Sequence, residues 1–265
     1  MLRFTKMEGL GNDYVYVNCL DNTPEDLPGL AKRVSDRHFG VGGDGLICVC
    51  PSETADVRMR MFNADGSEGE MCGNGIRCVG KFVYDKGLSK NNPMTVETLG
   101  GIKILHLTVE NGLVSAVTVD MGEPVISPSA EIIVKDKTYT VNPASMGNPH
   151  SVVYLQDIDQ LNLEDIGPYF ECHPMFPNRT NTEFVEVIDR THLKMRVWER
   201  GSGETLACGT GACAVLAVSV SLGLCEREAT VHLLGGDLSI RWSEEDGHIY
   251  MTGPATTVFE GELTL

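Results

Sequence analysis

The chain has 265 residues, of which 42% are hydrophobic, and it carries a formal net charge of -16 with a pI near 4.8. This length exceeds the usual domain size of roughly 100 to 200 residues and predicts two domains. The acidic balance argues against a nucleic-acid groove, which needs clustered Lys and Arg. The longest apolar run, Gly211 to Cys225, is too short to cross a bilayer, so we expect neither a nucleic-acid nor a membrane partner.

The first half of the chain combines strand patterns with one helix. Strand signals occur at 4–6, 14–18, 46–50, 57–62, 94–98, 102–109 and 113–120. A helix is predicted from Asn74 to Asp85, ended by Gly87 in a left-handed conformation. The dipeptide Asn111-Gly112 predicts a tight hairpin. The amino-terminal segment reads as a strand, so no export signal is expected, and we expect a cytoplasmic protein.

The second half repeats this order. Strand signals at 151–154, 184–188 and 193–198 precede a helix at 210–222, and further strands extend to Met251. The segment from Ala212 to Leu222 is apolar nearly all round, so it is expected to be surrounded by the strands of its own unit. The tail from Ala255 to Leu265 reads as another strand that returns to the first unit.

A repeat explains this parallel order. Cys72 and Cys208 each begin the pattern Cys-Gly-x-Gly and lie 136 positions apart. At the same offset Asn12 matches Asn148. A repeat this long indicates two copies of one folding unit, because solenoid repeats are far shorter.

The repeat predicts the fold class and the domain boundaries. We expect an α/β (α+β) protein with two domains related by a pseudo-twofold axis, each a curved, mostly antiparallel sheet around a central helix. The predicted domains are residues 1–120 plus 255–265, carrying Cys72, and residues 121–254, carrying Cys208.

A thiol at the start of a buried helix has a chemical use. Free amides and the helix dipole can lower a cysteine pKa from about 8.5 to roughly 3.5–7.5, so such a thiol can act as a base. The glycines beside Cys72 and Cys208 let a carboxylate approach the helix-start amides. Two such thiols on opposite faces of one carbon suit inversion at an amino-acid α-carbon, with a small-molecule amino-acid substrate.

No metal or cofactor is expected. The nine cysteines include no CxxC pair, and the seven histidines show no HxxxH or HExxH spacing, so a structural zinc site is not predicted. The CGNG and CGTG segments lack the Gly-Lys-Ser/Thr ending of a phosphate loop. A reaction without an electron-sink cofactor requires a buried site and fixed amides that stabilise the developing charge.

Three segments together resemble the diaminopimelate epimerase family. They are FNADGSEGEMCGNGIRC (Phe62 to Cys78), SMGNPH (Ser145 to His150) and ERGSGETLACGTGACA (Glu199 to Ala214). The resemblance covers nearly the whole chain and includes both thiols. It implies cofactor-independent interconversion of LL- and meso-diaminopimelate in lysine biosynthesis, with Cys72 and Cys208 as the acid and base.

The resemblance also implies the other site residues. His150 and Glu199 would tune or orient the thiols and the reacting amino group. The residues implied in substrate binding are Asn12, Asn63, Gly73, Asn74, Asn148, Asn181, Glu199, Arg200, Gly209 and Thr210. Many family members carry Gln where this chain has Gly45, so one side-chain contact is expected to be missing there and to be replaced by water or main chain.

Several alternatives stay open at the level of sequence. A proline or hydroxyproline racemase also uses two cysteines in a similar architecture. A non-enzymatic reading makes Cys72 and Cys208 a thiol redox switch. Glu199 and Arg200 can be a solvated ion pair, and His150 a hydrogen-bonded loop residue. The oligomeric state is not predicted, and a homodimer is one option.

Overall fold

The structure, a computed structural model, describes residues 1–264. The chain divides into two compact units. The first contains residues 1–119 and the C-terminal stretch from residue 253, and the second contains residues 120–252.

The first unit contains nine strands and two helices within the described residues. The strands are β1 (Leu2–Gly9), β2 (Asn12–Asn18), β3 (Gly45–Cys50), β4 (Val57–Asn63), β5 (Glu68–Gly69), β6 (Met94–Thr98), β7 (Gly101–Glu110), β8 (Leu113–Gly122) and β19 (Thr256–Leu263), and the helices are α1 (Leu27–Ser35) and α2 (Gly73–Asp85). Strand β1 pairs antiparallel with β2 and β19, whereas β2 runs parallel to β3 and β4 runs parallel to β6. The β3–β4, β4–β5, β6–β7 and β7–β8 pairs are antiparallel.

The second unit repeats this connectivity. Its strands are β9 (Val125–Ile126), β10 (Ala130–Val134), β11 (Lys137–Ser145), β12 (Pro149–Tyr154), β13 (Asn181–Asp189), β14 (His192–Glu199), β15 (Gly203–Thr205), β16 (Glu228–Leu233), β17 (Gly236–Trp242) and β18 (Ile249–Gly253), and its helices are α3 (Leu163–Glu171) and α4 (Gly209–Ser221), with a 3₁₀ turn at Ile158–Gln160. Its parallel pairs are β12–β13 and β14–β16, which correspond to β2–β3 and β4–β6 of the first unit. The predicted α/β class with mostly antiparallel strands is confirmed.

The two predicted helices are confirmed to within one residue at each end. Helix α4 packs against five strands of its own unit, β11, β12, β13, β16 and β17, as its apolar sequence predicts. Gly87 and Gly223 follow α2 and α4 with φ of 70° and 73°, the left-handed conformation that ends a helix. The predicted hairpin is confirmed as well, with φ of 53° at Asn111 and 81° at Gly112.

Helices α1 and α3 were not among the predicted elements. In α1 the Asp26 side chain accepts a 2.9 Å hydrogen bond from the Gly29 amide, and Pro28 lies in the first turn. Helix α1 packs on β3 and β4, and its buried face contributes Leu30 and Val34 to the core. Each of these helices spans only nine residues and covers one side of its sheet.

The C-terminal strand returns to the first unit, as predicted. Strand β19 pairs antiparallel with β1, from Leu263 opposite Leu2 to Thr256 opposite Glu8. Within the described residues, no helix is long and apolar enough to cross a membrane.

Candidate functional site

Cys72 is the N-cap residue of helix α2. Its extended backbone, with φ of -124° and ψ of 117°, directs the side chain back over the first turn, where the sulfur accepts a hydrogen bond from the Gly75 amide at 3.3 Å. The Cys72 Sγ lies 3.1 Å from Asn12 Oδ1. The thiol is therefore in contact with a helix-start amide, as the sequence predicts, and also with the Asn12 side chain.

A carboxylate fixes the orientation of the Asn12 amide. Asn12 Nδ2 donates to Asp44 Oδ2 at 2.8 Å, and Arg37 donates to the other Asp44 oxygen at 3.1 Å. The Asn12 oxygen is thereby turned towards Cys72. Because an amide oxygen only accepts hydrogen bonds, this orientation suits the protonated thiol.

Tyr14 lies beside Gly45, the position at which a side-chain contact was expected to be missing. A Cβ atom on Gly45 would lie 2.1 Å from the Phe62 carbonyl oxygen and 2.7 Å from Tyr14 Cε1, so no larger residue fits without movement. Burial is the main cause that raises the pKa of the Tyr14 phenol far above its usual value, and the neighbouring Cys72 and Asp44 act in the same direction. Tyr14 therefore presents a neutral phenol beside Gly45.

The remaining predicted residues of the first unit lie at the end of β4 and in the first turn of α2. Asn63 ends β4, and its amide nitrogen donates to Ser67 Oγ at 3.0 Å. Gly73 and Asn74 are buried in the first turn of α2, where Asn74 Oδ1 accepts from Arg77 at 3.0 Å. Asn63 is only partly buried, so its amide remains accessible.

Cys208 is the N-cap residue of α4 and has the same extended backbone as Cys72, with φ of -123° and ψ of 108°. Its sulfur lies 3.6 Å from Thr210 Oγ1, which accepts a hydrogen bond from Asn148 Nδ2 at 3.2 Å. Gly209 is buried in the first turn. The structure thus joins three predicted residues, Asn148, Cys208 and Thr210, at one helix start.

The expectation of a lowered pKa is wrong for Cys208. Burial is the main cause that raises the pKa of this thiol well above its usual value, and the carboxylates of Glu199 and Glu183 raise it further. The Thr210 hydroxyl and the Gly211 amide act in the predicted direction, but burial outweighs them.

Glu199 lies beside Cys208 in this unit. Its Oε1 accepts a 2.5 Å hydrogen bond from Thr205 Oγ1. Burial raises the pKa of the Glu199 carboxyl, while the hydrogen bonds from Thr205 and Cys208 oppose that rise. A carboxyl that gains a proton readily next to a thiol is suited to proton transfer.

His150 is fully buried and pairs with a residue that sequence reasoning missed. His150 Nδ1 lies 2.6 Å from Glu183 Oε1, and His150 Nε2 lies 3.0 Å from Asn148 Oδ1. A signal for Glu183 was present in the repeat, because at offset 136 it matches Ile47, and His150 matches Tyr14. A glutamate where the other copy has isoleucine marks a departure from simple core packing.

Asn181 is buried, and it contacts the main chain of the exposed residue Arg200. The Asn181 amide bridges two main-chain segments, since Nδ2 donates to the Pro149 carbonyl at 3.2 Å and Oδ1 accepts from the Arg200 amide at 2.8 Å. Arg200 is exposed, and its guanidinium donates to the Asn178 carbonyl at 3.1 Å. Arg200 is therefore available to an anionic group, whereas Asn181 organises the turn that carries it.

The structure brings the predicted residues together in two sets, one in each unit. The first set surrounds Cys72 and contains Asn12, Gly73 and Asn74, with Asn63 at the end of β4. The second set surrounds Cys208 and contains Asn148, His150, Glu199, Gly209 and Thr210. Within residues 1–264, no cluster of three or more His, Cys, Asp or Glu side chains could hold a metal ion.

Solved structures with low sequence identity share this fold. A phenazine biosynthesis protein of the PhzF family from Bacillus anthracis has a TM-score of 0.79 at 19% identity, with 100% of this chain and 99% of that chain covered. A probable proline racemase from Agrobacterium radiobacter has a TM-score of 0.76 at 14% identity, with 100% and 93% covered. The chain thus has the fold that PhzF-type proteins share with proline racemases.

Sequence comparison narrows this class to one family. The family model described as diaminopimelate epimerase matches residues 4–127 and 143–258. Proteins named diaminopimelate epimerase are 59% identical in Acetivibrio thermocellus, over 100% of this chain and 99% of that protein, and 57% identical in Methanococcus maripaludis strain S2, over 100% of both. The chain belongs to the diaminopimelate epimerase family, and the predicted resemblance is confirmed.

Proposed function

We propose that the protein converts LL-diaminopimelate to meso-diaminopimelate without a cofactor, as a step of lysine biosynthesis in the cytoplasm. The observation that carries the proposal is the pair of helix-start thiols, Cys72 and Cys208, in a chain whose relatives at 57–59% identity are named diaminopimelate epimerase. Two thiols in matching settings supply one proton acceptor and one proton donor.

The proposed reaction exchanges one proton for another. The thiolate of one cysteine removes the α-hydrogen as a proton and becomes a thiol, and the electron pair left on the α-carbon is delocalised into the adjacent carboxylate. The thiol of the other cysteine then delivers its proton to the opposite face and becomes a thiolate. The configuration is inverted. Cys72 and Cys208 exchange the roles of acid and base when the reaction runs in the opposite direction.

Helix-start amides stabilise the charge that develops on the reacting carboxylate. The first turns of α2 and α4, at Gly73-Asn74 and Gly209-Thr210, carry the main-chain N–H groups proposed to bind this carboxylate. Preorganised donors of this kind cost no reorganisation when the charge forms. They take the part that an electron sink has in other amino-acid racemases.

The polar side chains of the two sets recognise the rest of the substrate. We propose that Asn12, Asn63, Asn148, Asn181 and Arg200 bind its ammonium and carboxylate groups, with exposed Arg200 at the distal carboxylate. His150 and Glu199 tune or orient the groups around the reacting centre. Recognition of two zwitterionic ends selects a long diamino dicarboxylate over a small amino acid.

A stereochemical assay tests the proposal. Purified protein with reductant and no added cofactor is incubated with LL-diaminopimelate in D₂O, and the products are resolved by chiral chromatography and mass spectrometry. We expect meso product that carries solvent deuterium at the inverted centre. Retention of the original hydrogen would contradict the two-base scheme, and turnover of proline but not diaminopimelate would replace the proposal with a proline racemase activity.

The domain boundaries and the assembly belong to the same proposal. We propose that residues 1–120 with 255–265 and residues 121–254 act as the two catalytic domains, each contributing one thiol. A homodimer is the proposed assembly, and Val258 and Phe259 of β19, which are 53% and 46% exposed, are candidate contacts for it. Light scattering on the purified protein tests it, and a monomeric mass would reject it.

A further inference from the structure

His150 and Glu183 form a buried ionisable pair on the parallel strands β12 and β13. The 2.6 Å distance joins His150 Nδ1 to Glu183 Oε1, and both side chains have 0% exposure. Charged groups removed from water are costly unless they are paired. The pair therefore needs an explanation beyond packing.

The Glu183 carboxylate lies against the first turn of α4. A Cβ atom on Gly211 would be 2.7 Å from Glu183 Oε1 and 3.2 Å from Cys208 Sγ. The positive end of the helix dipole favours an anion at this place. Among residues 1–264, no hydrogen-bond partner reaches the second oxygen, Glu183 Oε2. His150 is thus the hydrogen-bond partner that the structure gives this carboxylate.

The second ring nitrogen of His150 also faces an acceptor. His150 Nε2 lies 3.0 Å from Asn148 Oδ1, because the Asn148 nitrogen donates to Thr210 Oγ1. A carboxylate and an amide oxygen both accept hydrogen bonds, so a ring that carries a proton on each nitrogen satisfies both contacts. Such a ring is a cation opposite Glu183, and the other ionisable groups near it are Glu199 and Cys208.

The fold itself does not require this pair. In the first unit the matching positions hold Tyr14 and Ile47, and a Cβ atom on Gly75 would be 2.7 Å from Ile47 Cδ1. Ile47 is completely buried there. An aliphatic side chain therefore fills the same place beside the same kind of helix start, and buried ion pairs can often be replaced by apolar residues without loss of stability.

We infer that Glu183 is a positioning residue for the epimerisation, which holds His150 as a fixed imidazolium between its own carboxylate and the Asn148 amide. The imidazolium offsets the negative charge of Glu199 beside Cys208 and fixes the orientation of the Asn148 amide, whose nitrogen binds Thr210. This inference rests on the proposed function, because it assumes that His150 and Asn148 act on the substrate.

The test compares Glu183→Gln, Glu183→Asp and the control Glu186→Gln. Glu186 lies on the same strand and is partly exposed, so its substitution makes the same charge change away from the pair. We expect kcat to fall roughly 10- to 100-fold in Glu183→Gln, the worth of a hydrogen bond to a charged group, with little change in KM. Glu183→Asp should recover part of the rate, and Glu186→Gln should behave as the wild type.

Ring ¹⁵N chemical shifts of His150 provide a second readout that a purely structural role would not change. We expect a doubly protonated ring in the wild type and in Glu183→Asp, and a neutral ring in Glu183→Gln at the same pH. A rate loss with the ring still protonated in Glu183→Gln, or an equal loss in Glu186→Gln, would overturn the inference.

Glu183→Ile keeps the test decisive if Glu183→Gln does not fold, because isoleucine is the residue that fills the matching place in the first unit. We expect this variant to fold and to remain slow, and wild-type activity in it would reject the inference. If the wild type does not epimerise diaminopimelate, the proposed function fails, and the ¹⁵N spectra still decide whether Glu183 holds the ring charge.

Discussion

The two helix starts have the same backbone and different surroundings. Cys72 and Cys208 are both extended N-cap residues. Three residues after each cysteine, Gly75 or Gly211 lies close to a buried side chain from the third strand of the motif. That side chain is Ile47 in the first unit and Glu183 in the second. The comparison teaches that this place beside the glycine accepts either an aliphatic side chain or a carboxylate, so packing alone does not account for the charge of Glu183.

The asparagines that match in the repeat are also used differently. The amide oxygen of Asn12 faces Cys72, since Asp44 binds its nitrogen. The amide oxygen of Asn148 faces His150, since Thr210 binds its nitrogen. The two matching asparagines are therefore held by different hydrogen bonds and present their amide oxygens to different partners.

Removal of either thiol tests whether the two halves are both needed, and it has the largest expected effect. We expect Cys72→Ala and Cys208→Ala each to lower kcat by roughly 10²- to 10⁴-fold, because each removes one proton-transfer group. Chiral chromatography of reaction mixtures under reducing conditions measures the loss. The exposed Cys172→Ala is the control and should keep full activity. Full activity in either Cys72→Ala or Cys208→Ala would contradict the proposal that both units contribute a catalytic thiol.

Exchange of the buried side chains tests the contrast between Ile47 and Glu183 directly. Ile47→Glu places a carboxylate beside Tyr14, which cannot form an ion pair, so we expect a loss of about 3–5 kcal/mol in the free energy of unfolding. Glu183→Ile should cost less, because an imidazole left without its carboxylate becomes neutral at little cost near neutral pH, whereas a buried carboxyl does not. Urea unfolding at neutral pH measures both variants. Equal losses of unfolding free energy in Ile47→Glu and Glu183→Ile would contradict the expected difference between the two positions.

Alanine at the two glycines probes how firmly each neighbour is held. Gly75→Ala needs only a small shift of the flexible Ile47 end, whereas Gly211→Ala displaces the Glu183 oxygen that binds His150. We expect Gly211→Ala to cost more within the range of roughly 1–3 kcal/mol for overpacking. Thermal unfolding compares the two, and a larger loss for Gly75→Ala would contradict this ranking.

Glu199→Gln makes the second unit more like the first, where the matching residue is Asn63. Burial raises the folded-state pKa of Glu199, so stability falls as the pH rises from the unfolded pKa to the folded-state pKa, and the full penalty is present above the latter. Below the unfolded pKa of about 4.3 both states are protonated and the penalty is absent. We therefore expect Glu199→Gln to raise the melting temperature at pH 8 by a few degrees and to have little effect near pH 4.

Calorimetry at the two pH values, with Glu186→Gln as the matched control, checks this dependence. An equal change in melting temperature at both values would show that the effect comes from packing and not from ionisation.

The sequence predicted those parts of the molecule that depend on local patterns. Helices α2 and α4, their ends at Gly87 and Gly223, and the Asn111-Gly112 turn follow from apolar spacing and from residues that favour positive φ. Helices α1 and α3 were missed because each is nine residues long and lies between loop-like segments. Short helices gain most of their stability from tertiary packing, which a local pattern does not contain.

The repeat predicted the two helix-start thiols, and the family resemblance added residues that differ between the copies, such as His150 and Glu199, but neither indicated Glu183 or the surroundings of Cys208. Cys72 and Cys208 were predicted at helix starts, and the structure places them there. The raised pKa of Cys208 was not foreseen, because it depends on complete burial and on two carboxylates from other strands. Glu183 was missed for the same reason, since its contact with His150 joins residues 33 positions apart.

Strand β19 gives the two units different histories during synthesis on the ribosome. Residues 120–252 are contiguous, so the second unit has all of its strands as soon as that stretch has emerged. The first unit begins earlier but finishes later, because the partner of β1 is translated after the whole second unit. Until then the edge of β1 lacks this neighbour and is open to mispairing, which makes the order of chain emergence part of the folding problem.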